Sequence, residues 1–230
     1  MQQNKDNSPI LKAVAFDMDG LMFDTEAVYD KAATALLETR RGLSYTEELR
    51  ENIMGRPPEY CFRKFIDYYS LNENWEDLRE ESNDLFIHFL KEGYSAMPGL
   101  FDLLDFLEKT KIPKAICTSS VPRIMKAVLE PHNLIPRFDF IMTSEDIVQG
   151  KPNPEIYLKA AQKFNIQPEN LLVFEDSVAG CQAARKANAT CFVILADHNR
   201  NLDFSHASQV FQSLNDPAIF ERLSYPVKTE

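Results

Sequence analysis

Apolar residues recur along this chain in short, near-continuous runs, and each run is followed by a stretch with helical spacing. Leu11 to Asp17, Lys114 to Thr118, Phe138 to Thr143, Leu171 to Glu175 and Thr190 to Leu195 are the strand-like runs. Strands that lack hydrophobic–polar alternation are buried on both faces, and strands that alternate with helices build a parallel sheet. The pattern predicts an α/β protein with a doubly wound, Rossmann-like parallel sheet of five or more strands. Between the runs, Pro122 opens a helix carrying Ile124, Met125, Val128 and Leu129 that stops at Pro131. Asn153 caps another with Pro154 at its first position, and Ser177 to Asn188 forms a third with Val178, Cys181 and Ala184 inward.

One stretch, from about Thr25 to Glu92, breaks the alternation and contains no strand signal. Asp24 is placed to cap a helix carrying Val28, Ala32, Leu36 and Leu37. Ser44-Tyr45-Thr46-Glu47 has the form of a capping box whose helix stops at Gly55. Pro57-Pro58 opens a helix with Phe62, Phe65, Ile66 and Tyr69, and Trp75 to Phe89 marks a long one ending at Gly93. The expectation is a small all-helical domain over 25–93, inserted after the first strand of an α/β core made of 1–24 and 94–230. Its linkers fall near Asp24-Thr25 and Tyr94-Pro98. The tail after Asp197 carries the weakest pattern.

Ligands of open α/β sheets bind beyond the C-terminal ends of the strands, so the residues there bear the chemistry. The first run ends in Asp17 and Asp19, the second in Thr118-Ser119-Ser120, and the fourth in Glu175-Asp176-Ser177; Lys151 follows the third. Two acids one residue apart repel and call for a cation or a shared proton. Any one of these could be a cap or a solvated loop. Four at one edge suit metal-assisted phosphoryl transfer. Asp17, Asp176 and Glu175 offer hard oxygen ligands that suit Mg²⁺. Thr118 can donate to a phosphate oxygen, and Lys151 supplies positive charge. One aspartate can attack phosphorus while the other exchanges protons with the leaving oxygen and with water. Asp17, at the strand terminus, is the more rigid and so the expected nucleophile; Asp19, on the turn, is freer to move.

Composition narrows the partners. The chain of 230 residues has a net charge of −10 and no basic tract, which disfavours nucleic acid and anionic membranes. No apolar run approaches a membrane span, and Met1 to Asp6 lacks the core of a signal peptide. Cys61, Cys117, Cys181 and Cys191 show no close pairing, as expected of reduced thiols in the cytoplasm. His88, His132, His198 and His206 are scattered, so no histidine-based site is expected.

Asp17-Met18-Asp19-Gly20-Leu21-Met22-Phe23-Asp24-Thr25-Glu26, Thr118-Ser119-Ser120, Gly150-Lys151-Pro152-Asn153-Pro154 and Val173-Phe174-Glu175-Asp176-Ser177-Val178-Ala179-Gly180 resemble the four signatures of the haloacid dehalogenase superfamily. The closer resemblance is to its branch of β-phosphoglucomutases, sugar-phosphate phosphatases and pseudouridine-5'-phosphatases, which carry a mobile helical cap. That resemblance implies Asp17 as nucleophile, and Asp19 as general acid/base with its backbone carbonyl on Mg²⁺. It implies Thr118 and Lys151 as phosphate binders, Asp176 as acidic metal ligand, and Glu175 as a ligand directly or through water. Ser119, Arg56 and Glu59 are the expected substrate contacts; the alternative is a solvated Arg56 and a Glu59 that favours its helix N-terminus.

The expected activity is a Mg²⁺-dependent phosphatase of a small phosphorylated metabolite, a sugar phosphate or a nucleoside monophosphate, acting as a monomer or weak homodimer. Asp19 argues against a dehalogenase. The alternative is a hexose-phosphate mutase of the β-phosphoglucomutase type. It is weakened by Tyr29, Pro58 and Val121 where those enzymes carry histidine, arginine and lysine, although Arg56 could compensate. A degenerate, non-enzymatic binding module is disfavoured because the set of polar residues is complete.

Overall fold

The computed structural model describes residues 9–53 and 57–224. Six parallel strands form one sheet: β1 (Ala13–Phe16), β2 (Lys114–Cys117), β3 (Phe140–Met142), β4 (Leu171–Glu175), β5 (Thr190–Ile194) and β6 (Gln209–Phe211), in the order β3-β2-β1-β4-β5-β6. β1 thus lies at the centre, between β2 and β4, with Phe16 in register with Phe174 and their rings stacked at 5.2 Å. The strand order reverses at β1, where an open sheet leaves a crevice for a ligand.

Successive side chains of a strand point to opposite faces, and β1 feeds two apolar clusters accordingly. Val14 and Phe16 join Ile116, Leu172 and Phe174 against α5 (Leu100–Thr110), α6 (Pro122–Leu129) and α9 (Pro217–Ser224). Ala13 and Ala15 join Leu171, Val173 and Cys191 against α7 (Glu155–Lys163) and α8 (Val178–Lys186). Covering both faces explains why the strands read as unbroken apolar runs.

Between β1 and α5 run α1 (Glu26–Thr34, continued by a π-turn over Ala35–Thr39), α2 (Glu47–Ile53), α3 (Pro58–Tyr69) and α4 (Trp75–Leu90), with no strand among the described residues. Leu36, Phe65 and Phe86 from these helices belong to the same apolar cluster as Phe16. The two chain segments entering and leaving the helices lie side by side: Asp24 N–H donates to the Ser95 carbonyl at 2.9 Å and Met97 N–H to the Met22 carbonyl at 2.9 Å.

Two expected caps are corrected. Asp24 does not cap α1; it is exposed, Thr25 holds the N-cap position, and the Thr25 hydroxyl is committed to Asp19. Thr46, not Ser44, caps α2 by accepting from Leu49 N–H at 3.2 Å, because the helix begins at Glu47 and Thr46 directly precedes it. The end of that helix at Gly55 falls outside the described residues. The tail after Asp197, the part with the weakest sequence pattern, supplies β6 and α9.

Candidate active site

Asp17 follows directly on β1, and its N–H donates to the Phe174 carbonyl at 2.9 Å, which continues the ladder and holds the residue rigidly. Asp19 sits two residues on, where Gly20 turns the chain at φ +74°, a left-handed conformation that favours glycine. A side chain at position 20 would overlap the Asp176 carboxylate. The β1 and β4 loops therefore meet only because Gly20 has none.

Lys151 is the centre of the constellation. Its ammonium donates to Asp17, to Glu175 at 2.7 Å and to the Cys117 carbonyl at 3.0 Å. Burial alone would pull this ammonium down, but Asp17 and Glu175 reverse the effect and hold it above its ordinary value. Glu175 is fully buried with both oxygens engaged. One accepts from Lys151 and from the Tyr157 hydroxyl, and the other from the Ser177 hydroxyl at 3.0 Å and two backbone amides. Gly180, in the first turn of α8, lies so close beneath this carboxylate that any side chain there would displace it.

Asp176 is buried, and burial with the neighbouring Glu175 raises its carboxyl well above the usual range, against the pull of Lys151. Asp17 is raised for the same reasons, burial first, with Glu175 and Asp176 adding to it. Carboxylate oxygens of Asp17, Glu175 and Asp176 lie within 4.8 Å of one another. Three crowded acids with one ammonium leave negative charge uncompensated. A hard divalent cation fits that donor set and would remove the cost.

Asp19 is held by hydroxyls. Ser120 Oγ donates to its Oδ2 at 2.6 Å and Thr25 Oγ1 to its Oδ1 at 3.0 Å, while Tyr29 on α1 lies 3.3 Å from Ser120 Oγ. Burial pushes the Asp19 carboxyl up; Ser120, Thr25, Lys151 and Thr118 pull against it. Thr118 is buried and accepts from Ser120 N–H at 3.0 Å.

Asp17, Asp19, Thr118, Lys151, Glu175 and Asp176 therefore gather at one edge. Ser119 lies beside them in the chain and is partly exposed. Glu59 is exposed in the first turn of α3 and pairs with Arg63 at 2.8 Å. Arg56 falls outside the described residues. Sequence reasoning passed over Tyr157, Thr25, Ser120, Glu26 and His198. His198 Nε2 lies 2.8 Å from Asp176, which corrects the view of the histidines as unconnected to the site. The signal was present, since β5 ends at the same edge and His198 stands in the loop that follows it.

Residues 14–194 match the family model described as "Haloacid dehalogenase-like hydrolase". A Thermotoga maritima protein named "Phosphorylated carbohydrates phosphatase" is 34% identical over 181 residues, covering 77% of this chain and 82% of its own length. A Drosophila melanogaster protein named "Probable pseudouridine-5'-phosphatase" is 33% identical over 207 residues, covering 87% and 89%. The crystal structure of CbbY from Rhodobacter sphaeroides in complex with phosphate superposes with a TM-score of 0.81 at 24% identity, over 92% of this chain and all of its own; that likeness concerns the fold.

Proposed function

The chain belongs to the haloacid dehalogenase-like hydrolases, and we propose that it hydrolyses a sugar phosphate or a nucleoside monophosphate through an aspartyl-phosphate. It is a phosphoric monoester hydrolase, a phosphatase of phosphorylated small molecules, like the relatives it matches. The observation that carries the finer reading is Lys151 set against Asp17 beside Asp176 at the centre of the sheet edge.

Asp17, Asp176, the Asp19 backbone carbonyl and Glu175 through water would hold Mg²⁺, which when bound neutralises the crowded acids and polarises the phosphoryl group. Lys151 and Thr118 bind phosphoryl oxygens and fix phosphorus in front of Asp17. The Asp17 carboxylate attacks phosphorus, the bond to the leaving oxygen breaks, and Asp19 gives that oxygen its proton. Burial raises the Asp19 carboxyl, the direction that favours its acid form. Asp19 then takes a proton from water as it attacks the aspartyl-phosphate, releasing inorganic phosphate and restoring Asp17.

The helices over 25–93 act in this reading as a cap on a core of 1–24 and 94–230, hinged where Asp24 and Ser95 run together and touching the site through Tyr29. Closure excludes water and admits only small substrates, with Ser119, Arg56 and Glu59 the proposed contacts to the leaving group. Hydrolysis is favoured over mutase chemistry because Tyr29, Pro58 and Val121 cannot hold a second phosphate by charge. All proposed site residues come from one chain, so a monomer suffices. Buried Cys117, Cys181 and Cys191, none of them in a disulfide, suit a reducing cytoplasm, and no described helix is long and apolar enough to cross a membrane.

A phosphate-release screen over phosphorylated metabolites, with Mg²⁺ and with chelator, tests the proposal. Chelator-sensitive release from sugar phosphates or nucleoside monophosphates is expected. Conversion of β-glucose-1-phosphate to glucose-6-phosphate faster than phosphate release would establish the mutase instead.

A further inference from the structure

The loop after β5 reaches the site, and the mechanism above gives it no part. Asn199, fully buried, anchors it. Its Nδ2 donates to the Asp176 carbonyl at 2.8 Å and to the Ile194 carbonyl at 3.0 Å, and its Oδ1 accepts from Ala196 N–H at 2.8 Å. The loop and the Asp176 backbone are thus tied together. One residue earlier, His198 places Nε2 at 2.8 Å from Asp176 Oδ2, with its side chain only 11% exposed. A carboxylate that binds a cation is ionised and can only accept, so in that state Nε2 carries the hydrogen. Opposite stands the Gly20 turn: a Cβ there would overlap the Asp176 carboxylate and lie 3.1 Å from His198 Nε2. The carboxylate is gripped between imidazole and backbone. Glu26 brings a further carboxylate oxygen within 4.8 Å of a His198 ring nitrogen and an Asp176 oxygen, and a single imidazole faces both acids.

Resting on the phosphatase reading, we propose that His198 is a positioning residue: its N–H fixes one oxygen of Asp176 and leaves the other for the divalent cation. A carboxylate free to rotate loses conformational freedom when it binds a metal, and a fixed one has less to lose. Partners behind a metal ligand typically change metal affinity or activity by about 10–100-fold when removed.

The test compares wild type with His198→Leu, which removes the N–H, and His198→Gln, which retains an N–H donor. Mg²⁺ affinity of the full chain is measured by calorimetry without substrate, and kcat and substrate KM at saturating Mg²⁺. The leucine variant should bind Mg²⁺ about 10–100-fold more weakly, with substrate KM and kcat changing much less, and the glutamine variant should recover most of the affinity. If the leucine variant does not fold by circular dichroism, His198→Ala replaces it. Wild-type Mg²⁺ affinity without the N–H would overturn the proposal, as would a glutamine variant no better than leucine, since packing alone would then account for the loss. A wild-type protein that neither binds Mg²⁺ nor releases phosphate would instead sink the phosphatase reading and this inference with it.

Discussion

At the edge of the sheet Lys151 meets Asp17 and Glu175 with its side chain 5% exposed, whereas on the inserted helices Arg40 meets Glu81 with its side chain 49% exposed. Arg50 holds Asp30 at 2.8 Å with both side chains about a third exposed, and the more covered Arg41 shares Glu73 and Glu81 at 2.6 Å each, with Glu73 at the rim. Pairs near solvent contribute about 0–1 kcal/mol each, because water already solvates both partners. Burying charges costs several kcal/mol per ion, and apolar residues of equal volume would often serve the fold better. The insert's charges fit a solvated helical surface. Those at the edge require another reason, and phosphate chemistry supplies one.

The sharpest way to break this contrast is to neutralise the proposed nucleophile. Asp17→Asn should lower turnover by at least about 10⁴-fold, the scale seen when a nucleophile is removed. The fold should survive, because the amide keeps the shape and Lys151 retains Glu175. Substantial hydrolysis by this variant, with a native circular dichroism spectrum, would end the assignment. Lys151→Ala comes next. It should cost at least about 10² in kcat, as for deleting one preorganised electrostatic group. It also leaves Asp17 and Glu175 buried without a cation, so a loss of about 3–5 kcal/mol in urea unfolding is expected. A twofold kinetic effect would place the lysine outside the reaction.

The edge was legible in sequence because buried strands announce themselves, and their C-terminal residues then share one address. Asp17, Thr118, Glu175 and Asp176 follow from that rule alone. What stayed hidden depends on side chains closing space between loops. Tyr157 sits in the first turn of α7, where its spacing marks it as core, yet its hydroxyl reaches Glu175. Thr25 read as part of a helix start, yet its hydroxyl serves Asp19. β6 is three residues long, with Gln209 and Val210 exposed, so no apolar run marks it. The helices of the insert were legible by period, but their caps were not, since Ser44 and Thr46 both offer a capping hydroxyl and the period does not fix which of them directly precedes the first turn.

Protons and Mg²⁺ should compete at the edge, which Glu26 joins from the first turn of α1, and not among the exposed ion pairs of the insert. Burial, then the nearby Asp176, raises Glu26 from 4.5 to about 7, and Asp17 and Asp176 are raised as well. A carboxyl whose folded value lies above its unfolded one binds more protons in the folded state. Its contribution to stability is full below the unfolded value and is lost as pH rises through the folded value. For Glu26 that window runs from 4.5 to about 7. The cation relieves the repulsion that grows as these acids ionise. Thermal stabilisation by Mg²⁺ over chelator should therefore be larger at about pH 8 than at about pH 5.5. At a hundredfold excess over its dissociation constant the gain is about 2.7 kcal/mol. Equal stabilisation at both pH values would separate the cation from these carboxylates.

The smallest expected effect lies where the two regions touch. Arg123 on α6 reaches across to α4, pairing with Asp84 at 2.5 Å and Glu80 at 2.8 Å, and all three side chains are more than one-third exposed. If exposure decides what an ion pair is worth, Arg123→Ala should cost no more than about 1 kcal/mol in thermal unfolding, and raised salt should shrink the difference. Cap closure would then rest on apolar packing around Phe86 and on the Tyr29–Ser120 contact, not on this bridge. kcat/KM should stay within about twofold of wild type, since about 0.4 kcal/mol separates rates by that factor. A tenfold loss of kcat/KM with unchanged stability would show that this exposed pair governs the closed state, and the division between costly edge and inexpensive insert would have to be redrawn.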